Sequence, residues 1–217
     1  MTFVDIPNQQ FTMGSPEDLA KELGPDGITT LLSRICEAYE NLYASGKVVC
    51  TMSEPEITEE LFFELLDVWF DKGPRSLKPI PEKSHGKRKN GKKGKTPTID
   101  FCFRTWDPNS YFGAECKLLK ENNSELYKLY VDEGVNRYLS GKYGEKCSVG
   151  SMIGYIIIGN TAESINKVKI RVDKLPNISN MKKSDSINGF TNHYKSVHGR
   201  KVGNTPFHIH HLFFSFT

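Results

Sequence analysis

The sequence predicts an α/β protein with a central mixed β-sheet flanked by helices. Residues 28–44 and 57–70 carry apolar side chains at helical spacing, whereas residues 98–104 and 111–119 have the composition of two strands. The apolar run Met152–Ile158, rich in isoleucine, fits a strand buried on both faces. Helices and strands mixed in this way along one chain pack as a sheet covered by helices.

Length and composition fit a water-soluble protein. The 217 residues suit one domain with insertions, and the chain is 37% hydrophobic and 25% charged. No apolar run is long enough to span a membrane, and the N-terminus does not resemble a secretory signal. The five cysteines are scattered without a CxxC pair, which is typical of reduced thiols. We therefore expect a cytoplasmic protein that does not bind membranes.

The first half of the chain contains two predicted helices. The helix over 28–44 ends at Gly46, and the helix over 57–70 ends at Gly73-Pro74. Between them, residues 48–52 could form a short strand.

We expect two parts that form one compact unit. An N-terminal helical extension spans residues 1–53, and the main domain spans residues 54–217. A basic loop at 74–95 interrupts the main domain, and its seven Lys and Arg between Lys83 and Lys95 occur without any acidic residue.

The second half of the chain starts with a predicted hairpin, whose turn contains Asp107-Pro108-Asn109. A helix over 125–139 follows it. After the Met152–Ile158 strand, a capping box formed by Asn160 and Glu163 begins another helix. Asn177–Asn192 is polar and predicts a loop, and Phe207–Phe216 predicts a closing strand.

Three charged residues of the hairpin are candidates for chemistry. Asp100 lies on the first strand, and Glu115 and Lys117 project from the same side of the second strand because side chains alternate. Cys116 points to the opposite side, but its backbone carbonyl could contribute an oxygen ligand. Carboxylate oxygens suit Mg²⁺ or Mn²⁺, so Asp100, Glu115 and the Cys116 carbonyl form a candidate metal site.

The pattern Asp100…Glu115-x-Lys117 resembles the PD-(D/E)XK, or restriction-endonuclease-like, nuclease superfamily over roughly residues 54–160. The resemblance implies an αβββαβ core and a catalytic Asp, Glu and Lys. The proline of the family pattern is displaced here, since Pro97 lies three positions before Asp100.

Many members of this superfamily also use a glutamate on the helix before the hairpin. Glu54, Glu56 and Glu60 are the candidates here, and we favour Glu56 as the fourth catalytic residue. The segments Glu133–Tyr138 and Gly150–Tyr155 resemble uncharacterised nucleases of bacterial defence loci.

The resemblance implies a Mg²⁺-dependent endonuclease that cleaves nucleic acid, with DNA favoured, in a bacterial antiviral or restriction system. The small size leads us to expect a protein partner such as an ATPase or a sensor, and a homo-oligomer is left open. Two alternatives remain: an inactive nucleic-acid-binding or assembly subunit, and an RNA-cleaving nuclease of the same fold.

Four further residues are candidates for binding the substrate. Lys92 and Lys93 in the basic loop, together with His198 and Arg200, are of types that contact phosphates. The alternatives are a solvated insertion for the basic loop and an ordinary polar loop for His198 and Arg200. We interpret His208, His210 and His211 as histidines that alternate along a strand.

Overall fold

A computed structural model describes residues 23, 26–75, 77–84, 98–104, 111–144, 147–200 and 206–217. Lys92 and Lys93, most of the predicted basic loop and the hairpin turn lie outside these residues. The helices and strands of the described residues are α1 (Gly27–Ser45), α2 (Glu54–Lys72), β1 (Lys78–Ser84), β2 (Thr98–Arg104), β3 (Tyr111–Lys120), α3 (Ser124–Leu129) with a π-helical segment (Tyr130–Val135) and α4 (Asn136–Leu139), β4 (Val149–Ile158), α5 (Thr161–Val172), β5 (Asn177–Lys183), β6 (His193–His198) and β7 (Phe207–Ser215).

In the described part of the chain, seven strands form one mixed sheet in the order β1-β2-β3-β4-β7-β6-β5. The central strands β3, β4 and β7 run parallel to one another, and the outer pairs are antiparallel. Parallel neighbours need a crossover connection, and the helical segment between β3 and β4 provides the first one. The predicted α/β architecture with a central mixed sheet is confirmed.

The helices cover both faces of this sheet. On one face, α1 and α2 bury Leu31 and Leu61 against strand residues such as Phe101. On the other face, the helical segment after β3 and helix α5 bury Tyr130 and Val168. Burial on both faces explains why β4 is almost continuously apolar. None of the described helices has the length and apolarity that crossing a membrane requires.

Several elements differ from the sequence-based expectation. Residues 48–52 form no strand, whereas β1 and β5 lie where loops were expected and β6 lies where no strand was predicted. β1 contains Pro79 and Pro81, which suit an edge strand because proline donates no ladder hydrogen bond. β5 is the other edge strand, and its side chains are mostly polar and solvent-facing. The polar composition of these segments did not predict strands, because pairing with neighbouring strands defines them.

Helix α2 ends where Gly73 lies against the ring of Trp69. A Cβ at position 73 would lie 2.4–2.5 Å from three ring atoms. The ring has little freedom to move, because Trp69 Nε1 donates a 2.8 Å hydrogen bond to the Leu77 carbonyl. This contact fixes the route of the chain from α2 into β1.

We therefore expect Gly73→Ala to displace Trp69 and to lower the free energy of unfolding by about 1–3 kcal/mol, as overpacking does. Urea unfolding followed by tryptophan fluorescence measures both effects. Gly199→Ala is the control, since a Cβ there meets no atom within 4 Å. Equal stability of the two variants would contradict this account.

Candidate functional site

The candidate site forms where β2 separates from β3. The pairing of these strands runs from Arg104↔Tyr111 to Phe101↔Ala114, whereas β3 continues beside β4 as far as Lys120. Beyond Ala114, side chains take over the role of the missing backbone partners. Asp100 Oδ2 accepts a hydrogen bond of 2.6 Å from the Cys116 N–H.

Glu54, the first residue of α2, makes the same kind of contact two residues further along β3. Its Oε2 accepts a 2.8 Å hydrogen bond from the Leu118 N–H. Its Oε1 lies 3.1 Å from the Lys117 ammonium. Backbone groups of β3 thus hold both carboxylates at the strand edge.

Lys117 connects the members of the cluster. Its Nζ lies 2.8 Å from Glu115 Oε1 and donates a 2.6 Å hydrogen bond to the Cys116 carbonyl. Burial by itself lowers the pKa of Lys117, but the carboxylates of Glu115, Glu54 and Asp100 raise it above its ordinary value. The ammonium therefore stays protonated at neutral pH.

Glu115 is the most deeply buried carboxylate of the cluster, with 1% of the residue exposed. Its Oε1 is paired with Lys117, but its Oε2 accepts no hydrogen bond from any described residue. Burial and the neighbouring Asp100 raise the pKa of Glu115 to about 7, although Lys117 and Arg137 oppose the shift. A buried carboxylate oxygen without a donor is costly unless it has a ligand.

The π-helical segment brings Arg137 into the site. At Gly134 the helix backbone lies so close to β4 that an added Cβ would be 2.3 Å from the Met152 methyl carbon. Just after this segment, Arg137 Nη1 lies 3.6 Å from Glu115 Oε1 and 2.6 Å from the Tyr143 hydroxyl. The sequence alone assigned no role to Arg137, although it lies within the segment Glu133–Tyr138 noted above.

The four predicted catalytic residues are not all brought together. Asp100, Glu115 and Lys117 lie in one cluster, but Glu56 does not join them. The carboxylate of Glu56 accepts hydrogen bonds from the Ser53 N–H (2.7 Å) and hydroxyl (2.6 Å), which form a capping box at the start of α2. The helix glutamate at the cluster is Glu54, because α2 begins there and directs its first residue towards β3.

His198 and Arg200, the predicted substrate-binding residues of this region, are buried. The His198 ring is bonded to the Ser196 hydroxyl at 2.7 Å. Arg200 donates to the carbonyls of Tyr138 and Cys147, and its guanidinium lies 4.3 Å from the centroid of the Phe207 ring. Both side chains therefore hold the fold together.

Three further histidines of β6 and β7, namely His193, His210 and His211, are also buried. His193 and His210 share a 3.0 Å hydrogen bond, and His211 bonds to the Tyr130 and Ser196 hydroxyls. Burial lowers the pKa of all four buried histidines, to about 4 for His193 and His198. They are therefore uncharged at neutral pH.

No group of three or more His, Cys, Asp or Glu side chains among the described residues is arranged to hold a metal ion. Of the predicted ligands, Asp100 and Glu115 lie at the cluster, and the Cys116 carbonyl accepts a hydrogen bond from Lys117. Glu115 Oε2 has no hydrogen-bond partner among the described residues, and the nearby carboxylate of Asp100 accepts the Cys116 N–H through Oδ2, so these two carboxylates are the groups that could contact a cation.

Comparisons with known proteins do not identify this chain. It matches no protein-family model, and searches of curated proteins and of solved structures return no significant match.

Because the pKa of Glu115 is raised, the free energy of unfolding should depend on pH when EDTA keeps metal ions away from the site. The folded-state pKa is about 7 and the ordinary value is 4.5, so the folded protein retains a proton that the unfolded chain loses between these values. Stability from this group is therefore complete below pH 4.5 and is lost as the pH rises to 7.

Glu115→Gln removes this titration while keeping the shape of the side chain. We expect the stability of the wild type relative to this variant to fall by on the order of 3 kcal/mol across that pH range. Urea unfolding at a series of pH values measures the difference. A difference independent of pH would contradict a proton bound to Glu115.

Proposed function

We propose that the chain is a metal-dependent nuclease that hydrolyses phosphodiester bonds. The observation that carries this proposal is the buried carboxylate of Glu115, whose Oε2 has no donor among the described residues although Asp100 is near and Lys117 pairs with its Oε1. Glu54 contacts the same Lys117 ammonium. Buried charges converging at the end of a strand pair favour chemistry over a purely structural role. The order of one helix, three strands, one helix and one strand over 54–158 further supports the proposal.

The donor chemistry of the cluster fits a hard divalent cation. Asp100 and Glu115 would hold Mg²⁺ or Mn²⁺, which need only one or two protein carboxylates. Such an ion supplies charge neutralisation at the phosphate and a lowered pKa for water. The Lys117 ammonium donates a hydrogen bond to the Glu54 carboxylate, and this contact directs the ammonium towards the cluster.

Lys117 and Arg137 have separate roles in this proposal. The Lys117 ammonium orients the attacking water or neutralises negative charge that develops on the phosphate. Arg137 favours the ionised form of Glu115, because its positive guanidinium lowers the pKa of that carboxyl. Tyr143 positions Arg137, and it is itself anchored by a 2.7 Å hydrogen bond to the Thr98 carbonyl.

We also propose the biological setting that the family resemblance implies. The chain would act on DNA in the cytoplasm, as the nuclease component of a bacterial antiviral or restriction system, together with a protein partner such as an ATPase or a sensor. Lys92 and Lys93 remain predicted phosphate contacts, and their contribution would weaken with salt.

Cleavage of plasmid DNA and of single-stranded RNA by the purified chain, with and without Mg²⁺ or Mn²⁺, tests the proposed activity. We expect cleavage only with the divalent ion. Lys117→Met should lower the rate by about 100-fold or more, since it removes charge stabilisation at the reacting phosphate. The rates on a single DNA strand and on an RNA strand of matching sequence, which have the same strandedness, decide between DNA and RNA.

A matched pair of variants tests the assignment of the helix glutamate. Glu54→Gln should lower the cleavage rate by about 10- to 100-fold, as loss of a group that orients a catalytic side chain does. Glu56→Gln, two positions away, should leave the rate unchanged because this carboxylate only caps α2. Equal rates for the wild type, Glu54→Gln and Lys117→Met would refute the site.

A further inference from the structure

A cleft opens directly beside the carboxylate cluster. Its volume is about 470 Å³, and it lies between the first half of α2 and the strands β1 and β2. Two of its lining residues, Glu54 and Asp100, also belong to the cluster. A group in this cleft would therefore lie next to the reacting phosphate of the proposed function.

The lining of the cleft is mainly apolar and contains two phenylalanines. Phe62 is largely buried, but Phe63 is 53% exposed. The remaining lining residues are Pro55, Thr58, Glu59 and Pro81. An exposed aromatic ring at the wall of a cleft offers a flat surface on which a planar ligand can stack.

The charge of the cleft argues against binding of the phosphate backbone inside it. Its described lining includes three carboxylates, from Glu54, Glu59 and Asp100, and no lysine or arginine. Carboxylates repel phosphates but accept hydrogen bonds from N–H groups. A neutral nucleobase carries such groups at its edge and has two faces that stack on aromatic rings.

We propose that this cleft binds one unpaired nucleobase of the substrate, stacked on Phe63, beside the phosphate that is cleaved. This inference rests on the proposed function and narrows its substrate to strands that are single or locally unpaired. A base inside a duplex is stacked and paired on both sides, so it cannot enter without being extruded.

The exposed face of α2 supplies a matched pair of variants. Phe63 lines the cleft, whereas Phe70 lies two turns further along the same helix, outside the cleft, and is 96% exposed. Replacing either ring with alanine removes a largely solvent-exposed aromatic side chain. Only Phe63→Ala should alter the binding of a base.

The test measures fluorescence anisotropy of a labelled single strand of about 12 nucleotides, a length within the range that single-strand-binding folds cover. All proteins carry Glu115→Gln and are assayed with Mg²⁺, and a gel verifies that the probe stays intact. We expect Phe63→Ala to weaken binding by about 5- to 100-fold, as loss of one stacked base does. Phe70→Ala should bind as the parent does, and Phe63→Trp should retain the affinity.

A second probe identifies the contact with the base. A strand with one abasic position placed in the cleft should bind as weakly as the intact strand binds Phe63→Ala, and the two losses should not add. The fully paired duplex of the same sequence should be insensitive to Phe63→Ala.

Four outcomes would overturn the proposal: no binding of the single strand, equal affinities of Phe63→Ala and its parent, equal losses for Phe63→Ala and Phe70→Ala, or Phe63-dependent binding of a lysine-rich peptide in place of the strand. The last outcome would assign the cleft to a basic protein partner.

The nuclease activity and the base site can fail separately. Phe63-dependent binding without cleavage by the wild type would refute the nuclease activity alone. Cleavage of the single strand at equal rates by the wild type and Phe63→Ala would refute the base site alone.

Discussion

The candidate site depends on one constraint, which is that the backbone N–H groups of β3 need acceptors after β2 has separated from it. A buried N–H without an acceptor costs free energy comparable to a lost hydrogen bond. Here Asp100 and Glu54 accept the hydrogen bonds of Cys116 and Leu118. The same interaction that completes the sheet therefore concentrates negative charge at one position along β3.

That negative charge requires the other groups of the cluster. Lys117 neutralises part of it, and Arg137 approaches Glu115 from the helical segment on the other side. Buried ion pairs are rarely the most stabilising use of space, because desolvation offsets most of their attraction. Even with these neighbours, one oxygen of Glu115 has no hydrogen-bond partner in the part of the chain that the structure describes, which is why we interpret the cluster as a site for a ligand.

Helix α2 links the chemistry to recognition of the substrate. Its first residue, Glu54, belongs to the cluster, and its third turn carries Phe62 and Phe63 at the adjacent cleft. The capping box formed by Ser53 and Glu56 fixes where the helix begins and therefore where Glu54 lies. The four buried histidines of β6 and β7 contribute differently, since burial keeps them uncharged and they pack inside the fold.

The amino-acid pattern by itself determined the α/β class, the apolar strand β4 and the shared direction of Glu115 and Lys117, because these follow from local periodicity. Only the tertiary structure decided which helix glutamate reaches the cluster, since Glu54 and Glu56 differ only in how α2 is capped and packed. It also decided that His198 and Arg200 are buried, because their surroundings come from distant segments such as Tyr138 and Cys147. Strands β1, β5 and β6 were not predictable from their polar sequences, because neighbouring strands supply the hydrogen bonds that define them.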